Sequence, residues 1–187
     1  MATADELMAS AKEKMAKSVE HAKAEFSTVR TGRASASLLD RIDVDYYGTA
    51  TPLRQLSTVN VPEPRMLTVQ PFDPGSIKAI EKAIMESDLG LTPSNDGKLI
   101  RLPIPQLTEE RRKDLVKIVR NMAEEHRVAV RDIRRDAMKH LKDLVDSGDV
   151  GADDEHRAEE RVQKLTDEHT KAIDELLKHK EAEIMEV

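Results

Sequence analysis

The chain has 187 residues, 35% of them charged, with 2% aromatics, no tryptophan and a formal charge of −6, which is enough for one large domain or two small ones. It has no cysteine, so disulfides, thiolate chemistry and cysteine-based zinc sites are excluded, and no apolar run approaches the roughly 20 residues that span a bilayer. The acid surplus argues against general coating of nucleic acid and leaves only a local basic stripe as an option, while a core nearly free of aromatics suits helix packing better than a sandwich.

The first 23 residues mix both charge signs and contain no apolar leader segment, so a cytoplasmic protein is expected. Leu7, Ala11, Met15, Val19, Ala22, Phe26 and Val29 step by four and three, which predicts a helix with one apolar face. "RTGR" at 30–33 interrupts that pattern, and Gly32 permits unusual backbone angles. "RIDVDYYG" alternates like a strand. Its Asp43 and Asp45 share a face, and they read as the solvated side of that strand rather than as a metal or acid pair. "STVNVPEPRMLTVQPFD" holds two β-rich runs around Pro62-Glu63-Pro64. "GSIKAIEKAIMESDLG" predicts a short helix closed by glycine, and "GKLIRLPIP" a further strand ending in prolines. Residues 31–105 therefore read as a small α+β domain inserted into a body made of 1–30 and 106–187. Two crossings join them, Thr31, Gly32 and Arg33 on one and Pro103, Ile104 and Pro105 on the other, where the prolines favour extended chain. A paired connection of this kind resembles a double hinge between two rigid bodies, and Gly32 with the two prolines would equally suit a rigid domain junction.

The second long helix opens after Thr108, an N-cap type followed by Glu109 and Glu110. Leu115, Val119, Met122, Val130, Ile133, Ala137, Leu141 and Leu144 form its stripe, and "DSGD" at 146–149 supplies the stop. At ~1.5 Å per residue it is about 57 Å long. In the third helix the stripe is Ala158, Val162, Leu165, Ile173, Leu176 and Ile184, with "HKEAEIMEV" completing it. Three such helices, none able to bury its face alone, predict a bundle. The expected fold class is α+β, a long three-helix bundle with an inserted small β/α/β domain. His126 and His169 lie on the stripes and read as hydrogen-bonded boundary residues rather than zinc ligands. The methionines read as packing residues in an aromatic-poor core.

On a wheel of ~100° per residue with Leu115 at zero, Lys113, Arg120, Arg127, Arg131 and Arg134 fall together at roughly 100° to 160°. Asp114, Glu125, Asp132, Asp136 and Asp143 fall on the opposite flank. Two readings follow. The arginines could meet the third helix, since 147–187 carries thirteen acidic against six basic residues, or they could bind a polyanion. Arg makes planar, two-pronged contacts with phosphate, but also with carboxylate.

Six ordered motifs carry a resemblance that covers essentially the whole chain: "VRTGRAS" at 29–35, "VDYYGT" with "TPLRQL" at 44–56, "KAIMESDLGL" at 82–91, "LTEERRKDLVKIVR" at 107–120, "RVAVRDIRRDA" at 127–137 and "VQKLTDEHTKAID" at 162–174. On these the sequence resembles bacterial ribosome recycling factor. The resemblance implies an L-shaped molecule that binds the ribosome after termination and, with elongation factor G and GTP, splits it into subunits. It implies that the bundle contacts large-subunit ribosomal RNA through the arginines at Arg131 and Arg134, with Arg30 near the first hinge. It also implies that the inserted domain points toward elongation factor G, which hydrolyses the GTP. The chain itself shows no phosphate-binding glycine loop, so no nucleotide site and no cofactor are expected. An adaptor that binds partner helices through an apolar groove, and an enzyme with polar groups converging in a pocket, are the competing classes.

Overall fold

The computed structural model describes residues 3–186. Met1, Ala2 and Val187, the outermost positions of the expected bundle domain, lie outside the described residues. The chain divides into two compact units, one formed by the chain up to Arg30 together with the chain from Glu109 onward, the other by Thr31–Thr108.

Three helices make the first unit: α1 (Ala4–Ser27), α4 (Glu109–Asp146) and α5 (Ala152–Met185). Helix α1 begins with a capping box. The Thr3 hydroxyl accepts from Glu6 N–H at 3.2 Å, and Glu6 Oε2 accepts from Thr3 N–H at 2.8 Å, satisfying donors that a helix start leaves open. It buries Met8, Ala11, Met15, Ala22 and Phe26. Helix α4 buries Leu115, Val119, Ala123, Val130, Ala137 and Leu141. It ends where Gly148, at φ +80°, donates to the Val145 carbonyl and Asp149 donates to that of Leu144, both at 2.9 Å. That pairing is the left-handed Schellman stop. The seam of α5 runs through Ala158, Val162, Thr166, Ile173 and Ile184, whereas the expected Leu165 and Leu176 are only half-buried. Thr166 enters the seam because its hydroxyl donates to the Val162 carbonyl at 2.8 Å, which removes the cost of burying it.

In the second unit, β1 (Asp43–Tyr46) and β2 (Thr49–Pro52) form a hairpin, followed by the one-turn helix α2 (Leu53–Leu56). Strands β3 (Ser57–Glu63), β4 (Met66–Pro71), β5 (Ser94–Asn95) and β6 (Ile100–Pro103) form an antiparallel sheet in the order β3-β4-β6-β5. Pro62 lacks an N–H to give to the ladder, and the β3–β4 register shifts between Asn60 and Glu63 to accommodate it. Helix α3 (Ile77–Glu86) buries Ile77, Ile80 and Ile84, which pack with Leu39, Val44, Leu53, Leu67, Val69, Ile100 and Leu102 into a separate core. This helix stops before the expected glycine. Ser87 turns out of the helix, its N–H and hydroxyl both bonding back to the Ile84 carbonyl, and Gly90 lies beyond with φ +66°.

Candidate nucleic-acid interface

Arg120, Arg127 and Arg134 recur every seven residues along α4, so they form one row that drifts by only ~20° per step. Helix α5 runs antiparallel beside them and answers the row. Arg120 Nε donates to Glu181, and Arg127 Nη1 donates to Asp174. The same progression leads to Asp167 opposite Arg134. Instead Arg134 Nη1 donates to Gln163 Oε1 at 3.0 Å, and Gln163 Nε2 donates to Asp167 Oδ1 at 2.8 Å. A neutral amide thus stands between the last cation of the row and the acid that would have met it.

A second line of contacts lies on α4 itself. Glu124 accepts from Arg127 Nε and from Arg131 Nη1, each at 2.9 Å. The hydrogen bonds from Arg127 and then Arg131 hold the Glu124 carboxyl below the usual glutamate range. The hydrogen bond to Glu181 pushes Arg120 further up. Burial works against the charge of Arg127, yet its bonds to Glu124 and Asp174 outweigh that and raise its pKa. At the start of α4, Lys113 pairs with Glu109 at 2.8 Å, and that hydrogen bond raises the lysine and lowers the glutamate.

Exposure separates these cations. The side chains of Arg120 and Arg131 are 63% and 47% exposed, and that of Arg127 only 20%. Arg127 therefore braces α4 against α5, while Arg120 and Arg131 present their outer edges to solvent. Arg134 is half-buried and Arg30 is exposed just beyond the end of α1. Neither has a carboxylate partner among the described residues. The acidic third helix thus engages Arg120 and Arg127 through carboxylates and Arg134 through the Gln163 amide. The acids of the opposite flank, Asp114, Glu125, Asp132, Asp136 and Asp143, are all exposed. Glu124, Gln163, Asp174 and Glu181 were the participants that the sequence left unmarked.

The crossing residues belong to the second unit. Gly32 has φ +76°, which favours glycine, and a Cβ there would come within 3.2 Å of Leu107 Cγ, so that side chain would have to shift by a few tenths of an ångström. Ala34 N–H donates to the Pro64 carbonyl at 2.7 Å and Ile104 N–H to the Arg65 carbonyl at 2.8 Å. Pro103 is the last residue of β6, in register with Met66. Thr31 is half-buried, while Arg33 and Pro105 are exposed. His126 Nε2 lies 2.6 Å from Glu25 Oε2, tying α4 to α1, and His169 Nδ1 lies 2.6 Å from the Leu165 carbonyl. Asp45 Oδ1 accepts from Gly48 N–H at 2.9 Å and so closes the β1–β2 turn. Among the described residues no cluster of three or more potential ligands could hold a metal, and no helix is long and apolar enough to cross a membrane.

A family model described as "Ribosome recycling factor" matches residues 22–185. The chain is 53% identical over 180 residues to the ribosome-recycling factor of Rubrobacter xylanophilus, covering 96% of this chain and 97% of that one. It is 55% identical over 182 residues to that of Bacillus subtilis, covering 97% and 98%. A solution structure of a ribosome recycling factor superposes with a TM-score of 0.77 at 41% identity, over 100% of both chains. The T. thermophilus ribosome recycling factor, from a structure with the E. coli elongation factor G bound to the E. coli post-termination complex, superposes with a TM-score of 0.65 at 49% identity, over 99% of this chain and 100% of that one.

Proposed function

The chain belongs to the ribosome recycling factor family, and from that premise we propose that the arginine row of α4 grips ribosomal RNA while the inserted unit turns about a double joint. The protein acts on the post-termination ribosome together with elongation factor G, splitting it into subunits and releasing the mRNA for a new round of translation. It is a translation factor and not an enzyme. GTP is hydrolysed by the partner. In this reading it works as a monomer in the cytoplasm, and its main contact is large-subunit RNA.

The observation that carries the RNA reading is the interruption of the ion-pair row at Arg134. A guanidinium satisfied by an amide keeps its full charge for an incoming phosphate. Arg30, Arg120, Arg131 and Lys113 add to the same positive surface with their solvent-facing donors, and Arg127 positions it. The exposed pairs of Lys113, Arg120 and Arg131 do not forbid the exchange, since such pairs are weak in water and are screened by salt. The joint comprises Thr31, Gly32 and Arg33 on one crossing and Pro103, Ile104 and Pro105 on the other. A firmly held bundle transmits a push only if the second body turns about a defined point.

Co-sedimentation with ribosomes over a salt series tests the grip. Arg134→Ala is expected to weaken binding about tenfold and to reduce the slope of log affinity against log salt by about one, with helicity unchanged. Equal affinity and equal slope for the two proteins would remove the RNA role of the row.

A further inference from the structure

The chain contains two tyrosines and two phenylalanines, and three of these four rings stand at one edge of the inserted unit. Tyr46 and Tyr47 meet edge-to-face with centroids 4.6 Å apart. Both hydroxyls donate to Asp73 Oδ2 at 3.2 Å, and Phe72 is the next residue along. Tyr47 is 79% exposed and Phe72 69%. Rings of this size normally contribute by being buried, as Phe26 is in the bundle. A protein this short of aromatics that leaves two of its four rings in water is using those two for something other than its core.

The backbone sharpens the point. Tyr47 has φ +50° and Gly48 φ +84°, the pair of left-handed residues that closes a two-residue hairpin. Asparagine is favoured at the first of these positions, and a bulky side chain there is strained. Burial does not compensate that strain. The ring is nevertheless held in place. Asp73 Oδ1 accepts from Gly75 N–H at 2.9 Å, and a Cβ on Gly75 would come within 3.2 Å of that oxygen and 3.4 Å of the Tyr47 hydroxyl. Strain retained at an exposed, pre-organised ring marks a surface that meets a partner.

Charge selects the partner. The segments 43–52 and 71–76 that build this edge contain Asp43, Asp45 and Asp73 and no Lys, Arg or His. Phosphate is repelled there, whereas a guanidinium or ammonium is drawn both to the carboxylates and to the ring faces. We propose that the Tyr47–Phe72 edge docks a partner polypeptide that presents lysine or arginine side chains on an apolar surface. This edge lies in a different unit from the arginine row, and the proposal stands whether or not that row grips RNA.

The test uses the full chain and two probes, a dye-labelled short peptide of alternating arginine and leucine and an oligouridine. Intrinsic emission comes only from Tyr46 and Tyr47, because the chain has two tyrosines and no tryptophan, so it reports on the edge itself. The peptide is expected to bind saturably and to change that emission. The double variant Y47N/F72S keeps the net charge of −6, so non-specific attraction persists, yet it should bind the peptide about tenfold more weakly. Because Tyr47→Asn suits the turn, the melting temperature should hold or rise. Equal peptide affinity in wild type and variant overturns the proposal, as does a melting temperature that falls while affinity is kept. A tyrosine response to oligouridine in place of the peptide would reassign the edge to RNA. Ribosome co-sedimentation of the variant, expected at wild-type level, keeps this outcome distinct from a failure of the arginine row.

Discussion

A guanidinium has five N–H donors, and one ion pair occupies only one or two of them. At Arg120 and Arg131 the pair with Glu181 or Glu124 therefore leaves an outward edge, and what differs along the row is how much charge has already been answered. Gln163 makes that difference at Arg134, where it accepts from the arginine and donates to Asp167. Gln163→Glu would put a carboxylate against Arg134 at nearly the same shape. We predict that bundle stability changes by no more than about 0.5 kcal/mol, while ribosome co-sedimentation weakens as it does for Arg134→Ala. Wild-type binding by this variant would mean that Arg134 does not act through its charge. Glu124 gives the converse. Its pKa is depressed by Arg127 and Arg131, so its stabilising contribution is present above the unfolded-state pKa and is lost as pH falls through the lower folded-state value. The stability gap between wild type and Glu124→Gln, followed by urea melts, should thus be largest near neutrality and close below the ordinary glutamate range. The same variant frees Arg131 and should tighten ribosome binding. A gap that persists in acid would assign the effect to shape instead of charge.

The elements differ in how openly their residues announce them. The bounds of helix α4 could be read because its apolar stripe repeats over many turns and its end carries its own chemistry, although Ala123 takes the buried place expected of Met122. At Gly148 the left-handed φ of +80° closes the helix, with nothing within 4 Å of an added Cβ. Gly148→Ala should consequently cost about 1–2 kcal/mol from backbone strain alone, and Gly148→Asn clearly less, as thermal melts of the two variants can show. If alanine cost nothing, the stop would reside elsewhere in the loop. Strand β2, the single turn α2 and the two-residue β5 had no such signal: β2 runs Thr49, Ala50, Thr51, Pro52 with no large apolar residue to alternate, and one turn or two residues are too few to display a period. The end of α3 was misplaced because Ser87 caps by its side chain three residues before the glycine. At the arginine flank, spacing alone aligned the cations. Their partners Gln163, Asp174 and Glu181 also lie within ~20° of one another on α5, but which acid faces which arginine depends on the register of two packed helices. Local sequence does not contain that register. Glu124 was within reach, since it falls near 180° on the same wheel, at the edge of the basic flank.

At the scale of the molecule, each unit has a hydrophobic core of its own. Met8, Ala11, Ala137, Leu141, Ala158 and Val162 interlock in the first, and Leu67, Val69, Ile80, Ile84, Ile100 and Leu102 in the second. Two bodies with separate cores, joined by only two crossings, should open independently, because little of either core is lost when the other melts. Leu67 is fully buried in the sheet, and Leu67→Ala should destabilise the inserted unit by about 2–5 kcal/mol. Amide hydrogen exchange then reads the coupling residue by residue. Faster exchange is expected throughout 31–108, with protection in α1, α4 and α5 unchanged. Arg134→Ala offers no such contrast, since it removes charge and not core. Under the jointed reading, Leu67→Ala should also bind ribosomes normally through the bundle and yet fail in subunit splitting with elongation factor G at temperatures where the inserted unit is partly open. If the three long helices lose protection in step with the sheet, the two units form one cooperative body and the joint cannot be the moving part.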